Sequence, residues 1–162
     1  MRKIDTLKVA ILTALPELAK DPDRLRLWIE RGSARSTQTA GRGLTMAFQL
    51  NVLVVEMASD IAVLFLAVFE WARANQPDLM MPAKDAINFD ADILDNATAD
   101  VLIQLQLDQA ISATPGAAGG YAIEYRNEPD PLFDDLLSII HPEPAPILKG
   151  YEIDEDAPPW DP

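Results

Sequence analysis

Between Leu50 and Pro77 the chain reads LNVLVVEMASDIAVLFLAVFEWARANQP, and the period of its apolar residues changes midway. Before ASD, Phe48, Leu50, Val52 and Val54 recur at every second position, the period of a strand that runs from Leu44 to about Met57. Beyond it, Ile61, Leu64, Phe65, Val68 and Ala72 recur at threes and fours, the period of a helix. A membrane-crossing helix needs roughly 20 predominantly apolar residues, and Glu56, Asp60, Glu70 and Arg73 interrupt this run. The stretch is therefore a strand followed by a helix. Ser59 or Asp60 is placed to accept a backbone N–H at the helix start, and Asn75-Gln76-Pro77 closes it. Both elements carry apolar residues beyond one face: Leu53 and Val55 on the strand, Val63, Leu66, Ala67 and Phe69 on the helix. A helix apolar nearly all round is covered all round. That surplus belongs either to the core or to a subunit contact, for which Val63, Leu66 and Phe69 are the candidates.

The same two periods organise the rest. Ile4, Leu7, Ile11, Leu15 and Leu18 form the stripe of a first helix from about Asp5 to Lys20, with Pro16 imposing a kink or stop near Leu15. Leu25, Leu27 and Ile29 alternate with Arg26, Trp28 and Glu30 in a half-buried first strand. Gly32 to Gly43 has three glycines and no bulky apolar residue, and reads as a loop, either a hairpin tip or an arm reaching a partner or a lumen. Its arginines, with Arg31 just before it, make Arg31, Arg35 and Arg42 candidates for partner or lumen contact. Ile87 to Ile93, Val101 to Leu107 and Tyr121 to Tyr125 each alternate, separated by LDNATAD and SATPGAAGG turns. The order helix, strand, strand, helix, strand, strand, strand, with short links, predicts an α+β fold. It is a mainly antiparallel sheet of four to five strands with two helices packed on one face.

The chain divides into a single domain over residues 1–128 and an acidic extension over 129–162, which holds eight of the thirteen prolines. Within the extension Leu132, Phe133, Leu136, Leu137 and Ile140 mark a short amphipathic helix over about 131–141. It either folds back on its own sheet or docks in a neighbour's groove. Trp160 has no assigned role.

Composition excludes much chemistry. There is no cysteine, hence no disulfide and no thiolate chemistry or ligation. The single histidine, His141, lies between Ile140 and Pro142 in the extension, a poor setting for preorganised catalysis. No glycine-rich segment has the strand-to-helix context of a phosphate loop. Asp90 and Asp92 share a strand face and could meet Asp100 or Asp108 across the sheet. Without fixed calcium-loop spacing or histidine ligands, they read as a solvated acidic face. No catalytic residue, cofactor site or metal site is expected, and the chain is not read as an enzyme. Net charge is −13, with nine Lys or Arg against five Asp or Glu in residues 1–50 and four against twenty-one thereafter. A body so acidic cannot neutralise phosphates, and suits a surface that DNA slides past without sticking. The basic and apolar N-terminus is broken by Asp5, Lys8 and Glu17, so it reads as an amphipathic helix of a protein made in the cytoplasm.

The segments DTLKVAILTALPELAKDPDRLRLWIERGS, FQLNVLVVEMASDIAVLFLAVFEWARANQPDLM and FDADILDNATADVLIQLQL, with the EPDP that opens the extension, resemble the tail completion protein R family of contractile-tailed temperate bacteriophages. WARANQPDLM is the most specific landmark. The resemblance implies a structural virion protein acting at the head-proximal end of the tail, assembled in the host cytoplasm. It would stop tube or sheath polymerisation and prepare head–tail joining. It implies small α+β subunits in a ring around the DNA path, commonly a hexamer. Its partners would be tube or sheath subunits and a connector or neck protein, with no membrane and no specific DNA contact. The ring interface would draw on Val63, Leu66 and Phe69 and on Leu132, Phe133, Leu136 and Leu137, and Arg35 and Arg42 would lie at a rim or lumen. The alternatives are an interaction adaptor unrelated to phage and a small carboxylate-dependent enzyme.

Overall fold

The computed structural model describes residues 1–36, 42–81, 87–94, 97–116 and 119–128. The expected extension, including Leu132, Phe133, Leu136, Leu137, His141 and Trp160, lies outside the described residues. Helix α1 (Arg2–Ala14) ends where Pro16 cannot continue it, and α2 (Pro16–Lys20) restarts with the proline at its first position. Strands β1 (Leu25–Ser36) and β2 (Leu44–Met57) follow, then α3 (Ile61–Asn75) and a 3-10 turn (Pro77–Met80). Strands β3 (Ile87–Ile93), β4 (Ala99–Pro115) and β5 (Tyr121–Tyr125) complete the described chain. All pairs are antiparallel, in the order β1-β2-β4-β3, with β5 beside the far end of β4. The class is α+β, with the element order read from the sequence.

Register shows how alternation becomes a core. Leu27 faces Val52, Val52 faces Ile103, and Ile103 faces Phe89, so one apolar row crosses four strands. Leu50, Val52, Leu105 and Ile103 are wholly buried beneath the helices. Helix α3 meets this sheet with Leu64, Val68 and Ala72, and Phe65 sets its ring edge-on to Phe89, centroids 4.8 Å apart. Asp60 caps α3, its Oδ1 accepting the N–H of Ala62 at 2.8 Å.

Two expectations change. The segment Gly32–Ser36 is strand, not loop: β1 continues to Ser36 and pairs with β2 back to Leu44. Its pairing depends on backbone hydrogen bonds to a partner that β4 holds from the other side, and side-chain periodicity reports burial rather than such bonds. At Glu30 the register slips in a bulge that re-aims the chain. The second change concerns Val63, which is packed within the chain's own core with Ala67 and Trp71. Helix α1 lies alongside α3, and the indole Nε1 of Trp71 donates to Thr6 Oγ1 of α1 at 2.9 Å. The second apolar flank of α3 is thus covered by α1.

Candidate assembly surfaces

With Val63 buried, Leu66 and Phe69 remain as the open part of α3, 44% and 36% exposed. They are three residues apart on one helix face. Phe69 lies beside Phe65, ring centroids 6.3 Å apart and tilted by 33°.

Of the arginines, Arg31 and Arg35 stand on β1 opposite Gln49 and Thr45, on the sheet face turned away from the helices. Arg42 precedes β2 with a left-handed backbone (φ 42°), and its guanidinium lies 5.0 Å over the ring of Tyr121 of β5. Arg31 and Arg35 thus share one face of β1, while Arg42 is engaged with β5. On the same open face Glu30 Oε2 accepts from Gln49 Nε2 at 3.0 Å and Asn51 Nδ2 at 2.9 Å, a polar stripe down the middle of the sheet.

Asp92 lies directly opposite Asp100, whose Oδ1 accepts the backbone N–H of Glu56 at 2.7 Å. Glu56 itself sits at φ 51°, where β2 slips against β4. Among the described residues no cluster of three acidic or histidine side chains is placed to hold a metal, and no helix is long and apolar enough to cross a membrane.

A tightly bonded cluster escaped the sequence reading. Lys3, in the first turn of α1, is buried, and its Nζ donates to Gln76 Oε1 at 2.7 Å and Glu128 Oε1 at 2.9 Å. Its Nζ is also 3.7 Å from Asp108 Oδ1. Gln76, just past α3, fills the interval on the β4 edge between β3 and β5. There it acts as a side-chain substitute for a strand: its Oε1 accepts the Asp108 backbone N–H at 3.2 Å, and its Nε2 donates to Asp108 Oδ1 at 2.7 Å and to Asp78 Oδ1. The buried face of α1 is Lys3, Leu7, Ile11 and Ala14. Lys3 thus falls four residues before Leu7 on the stripe itself, and that spacing was the available signal. Chemically the cluster is a staple, joining α1, the NQP turn, β4 and Glu128.

Over residues 1–129 the chain matches the model of a family described as P2 phage tail completion protein R. It is 30% identical over 158 residues to Tail completion protein R of Escherichia phage P2, an alignment that takes in 94% of this chain and 92% of the relative. No solved structure matches it.

Proposed function

The chain belongs to the P2 phage tail completion protein R family, and from that premise we propose that it finishes the contractile tail at its head-proximal end. Membership makes it a structural component of the phage tail, in contact with other tail components. In our reading, copies made in the host cytoplasm form a ring, six-fold around the DNA path. The ring caps the growing tube or sheath, stops polymerisation and presents a face to the connector or neck protein.

The observation that carries this reading is the extent of the kinship: with 94% of this chain aligned, most of the extension past Glu128 is shared as well as the domain. The charge supports it, because residues 51–162 hold twenty-one acidic against four basic side chains, and so acidic a chain repels a passing duplex. Leu66 and Phe69 are the apolar contact on α3 in this proposal. Leu132, Phe133, Leu136 and Leu137 clip onto a neighbour, and Arg35 and Arg42 lie at a rim or lumen. The test is a phage lacking the protein, viewed by negative-stain electron microscopy. We expect tails of irregular length and unjoined full heads, corrected by the whole chain but not by a chain stopped after Glu128. Tails of normal length joined to heads in its absence would refute the assignment.

A further inference from the structure

Among the described residues the sheet has two edges that no further strand pairs with, β1 and β3, and they differ in a complementary way. On the helix-covered side the apolar row runs out to both edges only partly covered: Ile29 of β1 is 41% exposed, Phe89 and Ile93 of β3 are 52% and 72% exposed. On the opposite side β1 carries Arg31 and Arg35, whereas β3 carries Asp90 and Asp92. All four are exposed, and none has an ion-pair partner among the described residues. The one acidic residue on that side of β1, Glu30, is engaged with Gln49 and Asn51.

An open strand edge invites pairing with another chain, and charges on an edge normally block it. Here they block selectively. Two β1 edges would set arginine against arginine, and two β3 edges aspartate against aspartate, whereas β1 against β3 sets opposite charges on one face and apolar residues on the other. Strand direction agrees: with β1, β2, β4 and β3 alternating, β1 and β3 run in opposite senses. A copy related by rotation about an axis along the strands keeps its own β1 direction, so its β1 meets the first copy's β3 antiparallel. We propose that the protein self-associates through this head-to-tail contact, β1 of one copy pairing with β3 of the next, so that the sheets join into a continuous wall with all helices on the same side. Such a heterologous contact closes into a ring when the rotation closes. The inference rests on the ring reading above and specifies its interface.

The test uses the full chain and native mass spectrometry. Arg31→Glu with Arg35→Glu makes both edges acidic, and Asp90→Arg with Asp92→Arg makes both basic. Each variant is expected to fold with an unchanged circular dichroism spectrum and to lose the oligomer. Mixing the two is expected to restore it as mixed species, distinguishable by mass, and the four-fold exchange in one chain to restore it alone. If both variants keep the wild-type oligomer, or if neither the mixture nor the four-fold exchange restores it, the edge contact is wrong while the ring stands. If the wild-type chain is monomeric both in solution and when released from tails, the ring reading and the edge contact fall together.

Discussion

Removing the ammonium group of Lys3 while keeping its stem tests whether the staple holds the domain shut. Lys3→Met retains apolar packing and deletes two hydrogen bonds, at 2.7 and 2.9 Å, and one weaker approach at 3.7 Å. Breaking a fully buried ion pair by removing one partner costs about 3–5 kcal/mol, and one hydrogen bond to a charged group contributes about 1.5–3 kcal/mol. The lower range applies here. The carboxylates left behind are not sealed in, Glu128 having 24% and Asp108 50% of its side chain accessible, so water takes over part of what Lys3 supplied. Gln76 Oε1 keeps its bond from the Asp108 N–H. The cost is therefore about 2 kcal/mol for Met and about 3 kcal/mol for Ala, which also loses the buried methylenes. For a domain of this size that lowers Tm by about 6–12 °C. Urea unfolding of Lys3→Met, Glu128→Gln and the double variant gives the coupling directly, with about 1 kcal/mol or more expected for neighbours of this kind. A Lys3→Met chain within 0.5 kcal/mol of wild type, with no coupling to Glu128, would show that the cluster contributes nothing net.

Other expectations follow from single positions. Leu66→Asp and Phe69→Asp, at exposed sites, shift Tm by only a few degrees but block assembly, as read by particle formation. Normal particles from both variants would return this face to ordinary surface. Asp60→Ala removes the cap bond to Ala62 and costs about 1 kcal/mol by denaturant titration. Leu105→Ala, at a wholly buried position in the middle of β4, costs about 2–5 kcal/mol in the same assay. At Glu56, held at φ 51°, Glu56→Val destabilises while Glu56→Gly is neutral or better, a gap of about 1–2 kcal/mol set by the left-handed backbone.

Where burial wrote a period into the chain, the fold was legible. Strand β2 spans Leu44–Met57 as its alternation predicted, α3 begins at a cap read from ASD, and the helix break falls at Leu15 before Pro16. Where structure comes from backbone pairing alone, nothing was written: Gly32–Ser36 extends β1 with no apolar residue larger than alanine. The covering of Val63 by α1 was out of reach for a related reason, since periodicity identifies faces but not which faces meet. Lys3 was missed because a lysine on an apolar stripe reads as an exception to it, and its partners stand 73 and 125 residues away. Of the candidate contacts, Leu66 and Phe69 are open on α3, and Arg31 and Arg35 are open on β1.

Strand β4 runs for 17 residues, yet helices cover only part of it. Alternate residues from Ala99 to Ile111 are buried, whereas Thr114 and Pro115 at its far end, beside Tyr121 and Ala122 of β5, are exposed. Toward that end Gly32–Ser36 of β1, across β2 from Leu107–Ile111, is exposed throughout. The domain therefore carries a gradient of local opening energy along its own strands, from near the global value at the helix-covered end to little at the projecting one. Amide hydrogen exchange of the free chain is expected to separate the covered stretch of β4 as far as Ile111 from its far end into slow and fast groups. Were a neighbour to cover the projecting end, it would slow the second group alone, so the exchange pattern of β4 reports whether that end is met by another chain.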